Sequence, residues 1–586
     1  MENRVWIKKL SIIFFMSFTM TYYIYKDFEI SEKEIVLLIV VLFAAISCKT
    51  YKYIFKMDKI YTIFAFIFSF YIVCSLYIGK ISWKINSDNF FTKHNLFVVL
   101  CGIPFTFSML LYAGYKWREF CIPDVKEKIR NYKCNYKVWL IISLVLFLCW
   151  LPALIFNYPG IIISDYTWQY SQALGTSELT NHHPIIHTML IRISQSICKL
   201  ITGSVSADVS VFINSLIQMI IMSLIIGGVL YKIWKKSKLL SPVLKILVIC
   251  ISIWYVLFPM FALFSVYMTK DIIFSLLIFV WTYLLGTDFY ERNTNKINTI
   301  IQILWCALII WFRGNGFIVV LGTIFMTFIF TIKKWSKNEK ILLIAAIIII
   351  CSQSPILNLL NVQKTEMVES LGMPINQIAN VVKNNEELSD EDEELINAVM
   401  PLDIIKETYN IRYSDHLKFS SDFNANAICD NKGKYLALYC RLLIKYPKDF
   451  IEAGLNLTIG YWYPGVDKSC VSYDYDSRYQ FYENIGVANY SKSDIYRHFL
   501  TSDVRENVFE AWLWSPGVAI MIMFGLMLIC LSQKSYMLLL SFMPTVFCWL
   551  SLMIATPSYC ETRYVFYVFL NIPIWIVLIL QKKIEN

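Results

Sequence analysis

Apolar runs long enough to cross a bilayer recur along this sequence, near 10–25, 35–48, 60–79, 95–115, 137–156, 207–231, 243–262, 271–287, 298–312, 315–332, 340–356, 514–532, 536–556 and 563–580. A helix needs about 20 mostly apolar residues to span the hydrocarbon core. Within lipid, a run of that kind must satisfy its own backbone hydrogen bonds, which a helix does. The pattern predicts an all-α polytopic membrane protein with about 14 transmembrane helices. Composition agrees: only 16% of the 586 residues are charged and mean hydropathy is +0.54, against roughly 25% charged residues in soluble domains. A soluble enzyme, a disordered chain and a fibrous repeat are excluded. Most of the 16 cysteines fall inside the apolar runs, where Cys acts as a small apolar residue, and no CxxC or zinc spacing occurs.

A net charge of +10 would suit nucleic acid if it formed one patch. Instead the basic residues alternate between loops, so the charge sets topology and no nucleic-acid partner is expected. Lys49, Lys52, Lys56 and Lys59 fill one loop, and a basic segment runs from Lys116 to Lys137. Further along come Lys232, Lys235, Lys236 and Lys238, then Lys333, Lys334 and Lys337, and finally Lys582 and Lys583. Placing these inside puts both termini in the cytoplasm. The first run follows Lys8 and Lys9 without a small-residue cleavage site, so it reads as a retained span. The same alternation places 157–206, Lys270–Asp271, Arg313–Asn315, 360–512 and Glu561–Arg563 on the outer face. The chain divides into N-terminal transmembrane helices (1–136), a transmembrane core (137–356) with its outer loop 157–206, an extracytoplasmic domain (357–512), and C-terminal transmembrane helices (513–586).

The loop 157–206 is the richest in chemistry. Asn157-Tyr-Pro-Gly ends a span, Asp165 follows in Ser164-Asp-Tyr-Thr-Trp-Gln169-Tyr, and Asn181-His182-His183-Pro184 comes next. From Ile185 to Leu200, apolar Ile185, Ile186, Met189, Leu190, Ile193, Ile197 and Leu200 recur at helical spacing, with Thr188, Arg192, Gln195, Ser196 and Lys199 opposite. That pattern predicts an amphipathic helix lying in the membrane interface. A carboxylate pinned there is placed to meet a lipid headgroup, although Ser164 and Asp165 would also serve as helix caps. One His-His pair is not a metal-ligand set, and a structural or interfacial role accounts for it as well. Tyr166, Trp168 and Tyr170 suit either sugar stacking or an interfacial aromatic belt. In the outer domain, Ser389 and Asp392 resemble a capping box, and the domain is expected to be mostly helical. Its aromatic stretch Tyr461–Tyr490 holds Tyr461, Trp462 and Tyr463, which suit acceptor stacking or packing.

Three outer span ends keep a cation where short outer loops otherwise have few: Lys270-Asp271, Arg313-Gly-Asn315-Gly and Glu561-Thr-Arg563-Tyr564. Snorkelling and helix-end charge preferences explain each singly. Converging, they would form a phosphate site, with Arg forks suited to bidentate binding.

The ordered series Tyr158-Pro-Gly, Asp165, Gln169, Gly175, His183-Pro184, Lys270-Asp271, Arg313-Gly-Asn315-Gly316 and Glu561-Thr-Arg563-Tyr564 resembles a bacterial family of multi-span proteins whose fold is similar to that of the GT-C glycosyltransferases. The likeness covers about 150–320 and 555–570, with weaker extensions at Met373–Ile378 and Gly460–Pro464. It implies a GT-C-like fold in the bacterial cell membrane. It also implies transfer from a polyprenyl-phosphate sugar donor to a glycan or cell-wall polymer acceptor on the extracytoplasmic face. Asp165 would be the catalytic base, with His183 orienting the acceptor or the base. Gln169, His182, Lys270, Asp271, Arg313, Asn315, Glu561, Arg563, Tyr564 and Trp462 would bind substrate. Many relatives carry two adjacent acids in this loop, whereas Tyr166 follows Asp165 here. A divalent metal is therefore left open and no cofactor is assigned. A lipid-linked-oligosaccharide transporter or flippase, or a repeat-unit polymerase, is the alternative reading. Transporters place their polar groups near mid-membrane, and here charged groups are nearly absent from span centres, with Asn214, Gln218, Pro544 and Asn571 as mid-span exceptions.

Overall fold

The structure, a computed structural model, describes residues 33–53, 56–84, 91–120, 135–240, 242–291, 296–331, 337–466, 478–500 and 508–585, with a few positions between 12 and 19. Within these residues every element is helical, and pairing between extended segments is limited to isolated bridges. Eight helices are long and apolar enough to span a membrane: Lys59–Trp83, Lys93–Glu119, Tyr136–Phe156, Ala207–Lys235, Lys270–Thr287, Glu339–Leu359, Leu538–Ala555 and Thr562–Gln581. A ninth span is Pro242–Leu257 joined to Pro259–Ser265 with a bend of 53°. Four further apolar helices, Val41–Thr50, Thr299–Phe312, Gly316–Phe330 and Pro516–Ser532, have 10–17 residues. At 1.5 Å per residue, Gly316–Phe330 and Pro516–Ser532 fall short of a core about 30 Å thick, while Val41–Thr50 is the last part of the longer Lys33–Thr50 helix. The expected 14 crossings thus reduce to eight or nine by length among the described residues. The run near 10–25 and parts of the basic loops, including 121–134 and 332–336, lie outside those residues.

The mid-span polar residues are engaged with protein. Gln218 donates from Nε2 to the carbonyls of Phe264, Ser265 and Tyr267, at 3.1, 3.3 and 2.9 Å. These carbonyls lie where the short Pro259–Ser265 helix ends, so Gln218 satisfies backbone groups that lipid could not. Asn214 donates to the Tyr166 hydroxyl at 3.2 Å and to Met268 Sδ at 3.4 Å, and Asn571 donates to Thr545 Oγ1 at 3.3 Å.

The polar region between the Lys337–Leu359 and Pro516–Ser532 helices builds its own small helical core, in which Val381, Ile396, Leu417, Leu438, Leu442 and Phe450 are buried together. Ser389 caps the Asp390–Val399 helix by accepting from Asp392 N–H at 3.2 Å, as the capping-box pattern predicts. Within the aromatic stretch, 467–477 lie outside the described residues. Tyr461, Trp462 and Tyr463 are all buried. The Trp462 indole donates to Leu455 O and Thr458 Oγ1, and its own carbonyl accepts from Ser75 and Tyr71 of the Lys59–Lys84 helix. The aromatic cluster fastens this domain to the Lys59–Lys84 helix through hydrogen bonds and packing.

The Ile185–Thr202 helix carries three stripes where the sequence suggested two. Ile193, Leu200 and Ile201 are exposed beside half-buried Ile186, Leu190 and Ile197, forming the apolar stripe. Arg192, Ser196 and Lys199 form an exposed polar stripe. The third stripe faces the protein and holds His187, Thr188, Ser194 and Gln195, all buried. Thr188 and Gln195 therefore point inward and not to water. In an apolar solvent, polar side chains gain most by turning towards protein partners. Three stripes suit a helix at the interface between lipid, water and protein.

Candidate functional site

The loop ahead of Asp165 is anchored on both sides. Ile161 pairs in parallel with Tyr267, through Ile161 N–H to Val266 O and Met268 N–H to Ile161 O, both 2.9 Å. Gly160 sits so close to Ser215 that any β-carbon would collide with its hydroxyl. That hydroxyl donates to Pro159 O at 2.8 Å. From the outer domain, Tyr482 OH donates to Gly160 O at 2.7 Å and Ser491 N–H to Tyr158 O at 2.9 Å. This pairing brings the start of the Ser164–Leu174 helix beside the start of the Lys270–Glu291 helix.

Asp165 lies in the first turn of its helix. The cap position is taken by Ile163, with no side-chain cap bond, so capping does not account for the carboxylate. Its Oδ2 accepts from Lys270 Nζ at 3.0 Å, and Arg563 Nη1 approaches the same oxygen to 3.9 Å. Lys270 Nζ also lies 2.8 Å from His183 Nδ1. An ammonium only donates, so the neutral His183 ring accepts at Nδ1 and carries its proton on Nε2. Burial works against charge on Asp165, but the Lys270 ammonium and Arg563 guanidinium outweigh it and hold the carboxyl well below the usual range. Burial, reinforced by the facing Lys270, keeps His183 neutral well below its usual range.

A second ion pair lies deeper. Arg313, in the turn closed by Gly316 N–H to Arg313 O at 2.8 Å, reaches Asp271 Oδ1 at 3.1 Å. Asp271 is fully buried, and its other oxygen accepts from Thr269 Oγ1 at 3.1 Å. The guanidinium lies over Phe274 and Tyr564, with centroids 5.4 and 5.1 Å away, and Arg563 lies 5.0 Å from the same Tyr564 ring. Tyr564 is thus a shared aromatic floor for two cations. Glu561, buried, pairs with Arg563 Nε at 3.2 Å, and its backbone N–H donates to Tyr461 OH at 2.9 Å.

Of the residues singled out from sequence, Asp165, His183, Lys270, Asp271, Arg313, Glu561, Arg563 and Tyr564 form this one network of ion pairs and ring contacts. Gln169 is buried behind it, donating to Thr188 Oγ1 at 3.0 Å and accepting from His187 Nδ1 at 2.9 Å. Asn315 donates to Ser551 Oγ at 2.6 Å, bracing the Arg313 turn. His182 is exposed and packs edge-on to His183. Trp462 is not brought to the network. Tyr166 and Tyr170 are buried, with Tyr170 OH 2.8 Å from Ser210 Oγ, so only Trp168 of that trio is exposed. Sequence reasoning missed His187, whose burial, aided by Lys270, brings its pKa down to about 4, and Tyr461 as an acceptor. The signal for His187 was its place next to Thr188 and about two helical turns ahead of Ser194 and Gln195, on a third face of the helix.

A divalent ion does not fit the donors as arranged. Asp165 Oδ2 and His183 Nδ1 both face the Lys270 ammonium. Among the described residues no group of three or more His, Cys, Asp or Glu could hold a metal.

The chain belongs to DUF6020, a family of unknown function, which matches residues 158–586. The match opens at Tyr158, at the head of the Asp165 loop, and contains the whole charged network. Neither the curated proteins nor the solved structures contain a match to the chain.

Proposed function

We propose that this DUF6020 member is a GT-C-like membrane glycosyltransferase. It would move a sugar from a polyprenyl-phosphate-linked donor to a glycan or cell-wall polymer acceptor on the outer face of the bacterial cell membrane, with both termini cytoplasmic. One observation carries the reading: Asp165 and His183 of one loop meet Lys270 and Arg563 from two distant stretches of sequence beside a helix with an interfacial pattern.

In the reaction, the bond between the anomeric carbon and the phosphate oxygen breaks, and the phosphate leaves with the electron pair. Lys270 and Arg563 are placed to stabilise the charge that develops there. Preorganised charge of this kind is among the larger catalytic contributions. The acceptor oxygen forms the new bond to the anomeric carbon and gives its proton to Asp165, a base contribution of about 10²–10⁴-fold. Neutral His183, with its proton on Nε2, orients an acceptor oxygen. Arg313 and Asp271 hold Tyr564 in place beneath Arg563.

Transport is the rival. Two polar groups a transporter could use at mid-membrane are spent on protein partners, Gln218 on three carbonyls and Asn214 on Tyr166 and Met268, which favours transfer. The deciding experiment incubates purified protein in lipid vesicles with polyprenyl-phosphate sugars and envelope glycans. Sugar transfer that disappears in Asp165→Asn supports the reading. Normal product from that variant ends the base assignment, and lipid translocation without transfer ends the enzyme reading.

A further inference from the structure

The two ion pairs differ in a way that bears on how a phosphate would enter. Asp271 has no exposed surface, and Arg313 closes over it between two rings. Asp165 is the opposite: its side chain keeps 26% of its surface, and a single oxygen is shared by Lys270 and Arg563. Those two cations come from different elements, a helix start and a 3₁₀ turn. Arg563 is pinned separately by Glu561, so it stays in place whatever happens to Asp165. Counting the network, Asp165, Asp271 and Glu561 match Lys270, Arg313 and Arg563, so no net positive charge is left to attract an anion.

Resting on the transferase reading, we propose that Asp165 is an internal stand-in for the donor phosphate. An incoming phosphate takes Lys270 and Arg563 from it and thereby frees the carboxylate to act as base. The donor's phosphodiester has two free oxygens and can give one to each cation, where Asp165 gives both the same oxygen. Asp165 stripped of its ammonium partner becomes a stronger base. His183 loses the same donor from Nδ1 and can then accept a proton or an acceptor hydroxyl there. The carboxylate is therefore quenched until the leaving group is seated, which guards against transfer to water by a half-filled site. The groups facing Asp165 are Lys270, His183, Arg563 and, further off, His187 and Tyr564.

The consequence is counterintuitive: a variant lacking the base should bind the donor headgroup better. The test is equilibrium binding of farnesyl phosphate, with inorganic phosphate in parallel, to the full chain in lipid nanodiscs. Wild type is compared with Asp165→Asn and Lys270→Gln, each checked by thermal unfolding. Asp165→Asn is expected to bind farnesyl phosphate about tenfold tighter, a change of about 1.4 kcal/mol, and Lys270→Gln about tenfold more weakly. Equal gains for inorganic phosphate would mark the site as one for any phosphate, and a gain confined to farnesyl phosphate as one for a lipid headgroup; either supports the exchange. Unchanged or weaker binding by a folded Asp165→Asn overturns the inference while leaving the transferase reading intact. No binding by wild type overturns both.

Discussion

Replacing Asp271 by Asn leaves Arg313 with a neutral partner inside the protein. The carboxylate is fully buried and 3.1 Å from the guanidinium, while Arg313 keeps 17% of its side-chain surface. Breaking a buried pair by removing one partner costs about 3–5 kcal/mol. The residual exposure of Arg313 and its rings, Phe274 and Tyr564, place this case near about 3 kcal/mol. Arg313→Met should cost a similar amount by stranding Asp271, whose only other side-chain donor here is Thr269. The double variant removes both charges, so its loss should fall well below the sum, with a coupling of about 2 kcal/mol. The assay is reversible unfolding of the four proteins in mixed detergent–lipid micelles, read as a double-mutant cycle. Single effects that add to within about 0.5 kcal/mol, the expectation for independent sites, would refute the claim that this is one sealed pair.

Acid should weaken the fold through His187. Its pKa is about 4 in the folded chain against about 6.5 unfolded. The unfolded state therefore binds more protons between those values. Stability from this group is complete above about pH 6.5 and lost as pH falls towards 4, up to about 3 kcal/mol, and His187→Gln should flatten the unfolding-versus-pH curve. Tyr461→Phe removes the acceptor for the buried Glu561 N–H, costing about 1–3 kcal/mol; unfolding measurements should show this, and a loosened Arg563 turn should raise KM for the donor. Trp462→Ala should cost about 3–5 kcal/mol as a buried aromatic truncation without altering acceptor choice among the survivors, and a changed acceptor profile would restore the stacking role.

The charged network was legible in the sequence because membrane chains make cations rare on one face: Lys270, Arg313 and Arg563 stood out against outer loops with little positive charge. The helices were legible for the same reason, since crossing lipid demands long apolar runs. What periodicity does not encode is which of two apolar surroundings a stripe meets. Along Ile185–Thr202 the polar stripe was assigned to water, yet His187, Thr188 and Gln195 turn inward, because lipid claims the apolar side. Tyr166, Tyr170 and Trp462 misled similarly. An aromatic ring with a polar tip suits an interface, a sugar or a core, and only the partners Asn214, Ser210 and Leu455 decide. The pairing of Ile161 with Tyr267, which sets Asp165 against Lys270, joins positions 106 apart and has no local signature.

Arg563 belongs to the helix nearest the C-terminus, whereas Asp165 and Lys270 are translated hundreds of residues earlier. During synthesis the early pair can close as soon as the Lys270–Glu291 helix is inserted, but its second cation arrives only with the final hydrophobic segment. The nascent protein thus carries its acid already neutralised while the machine is unfinished. A ribosome stalled before position 561 would leave Asp165 facing Lys270 alone.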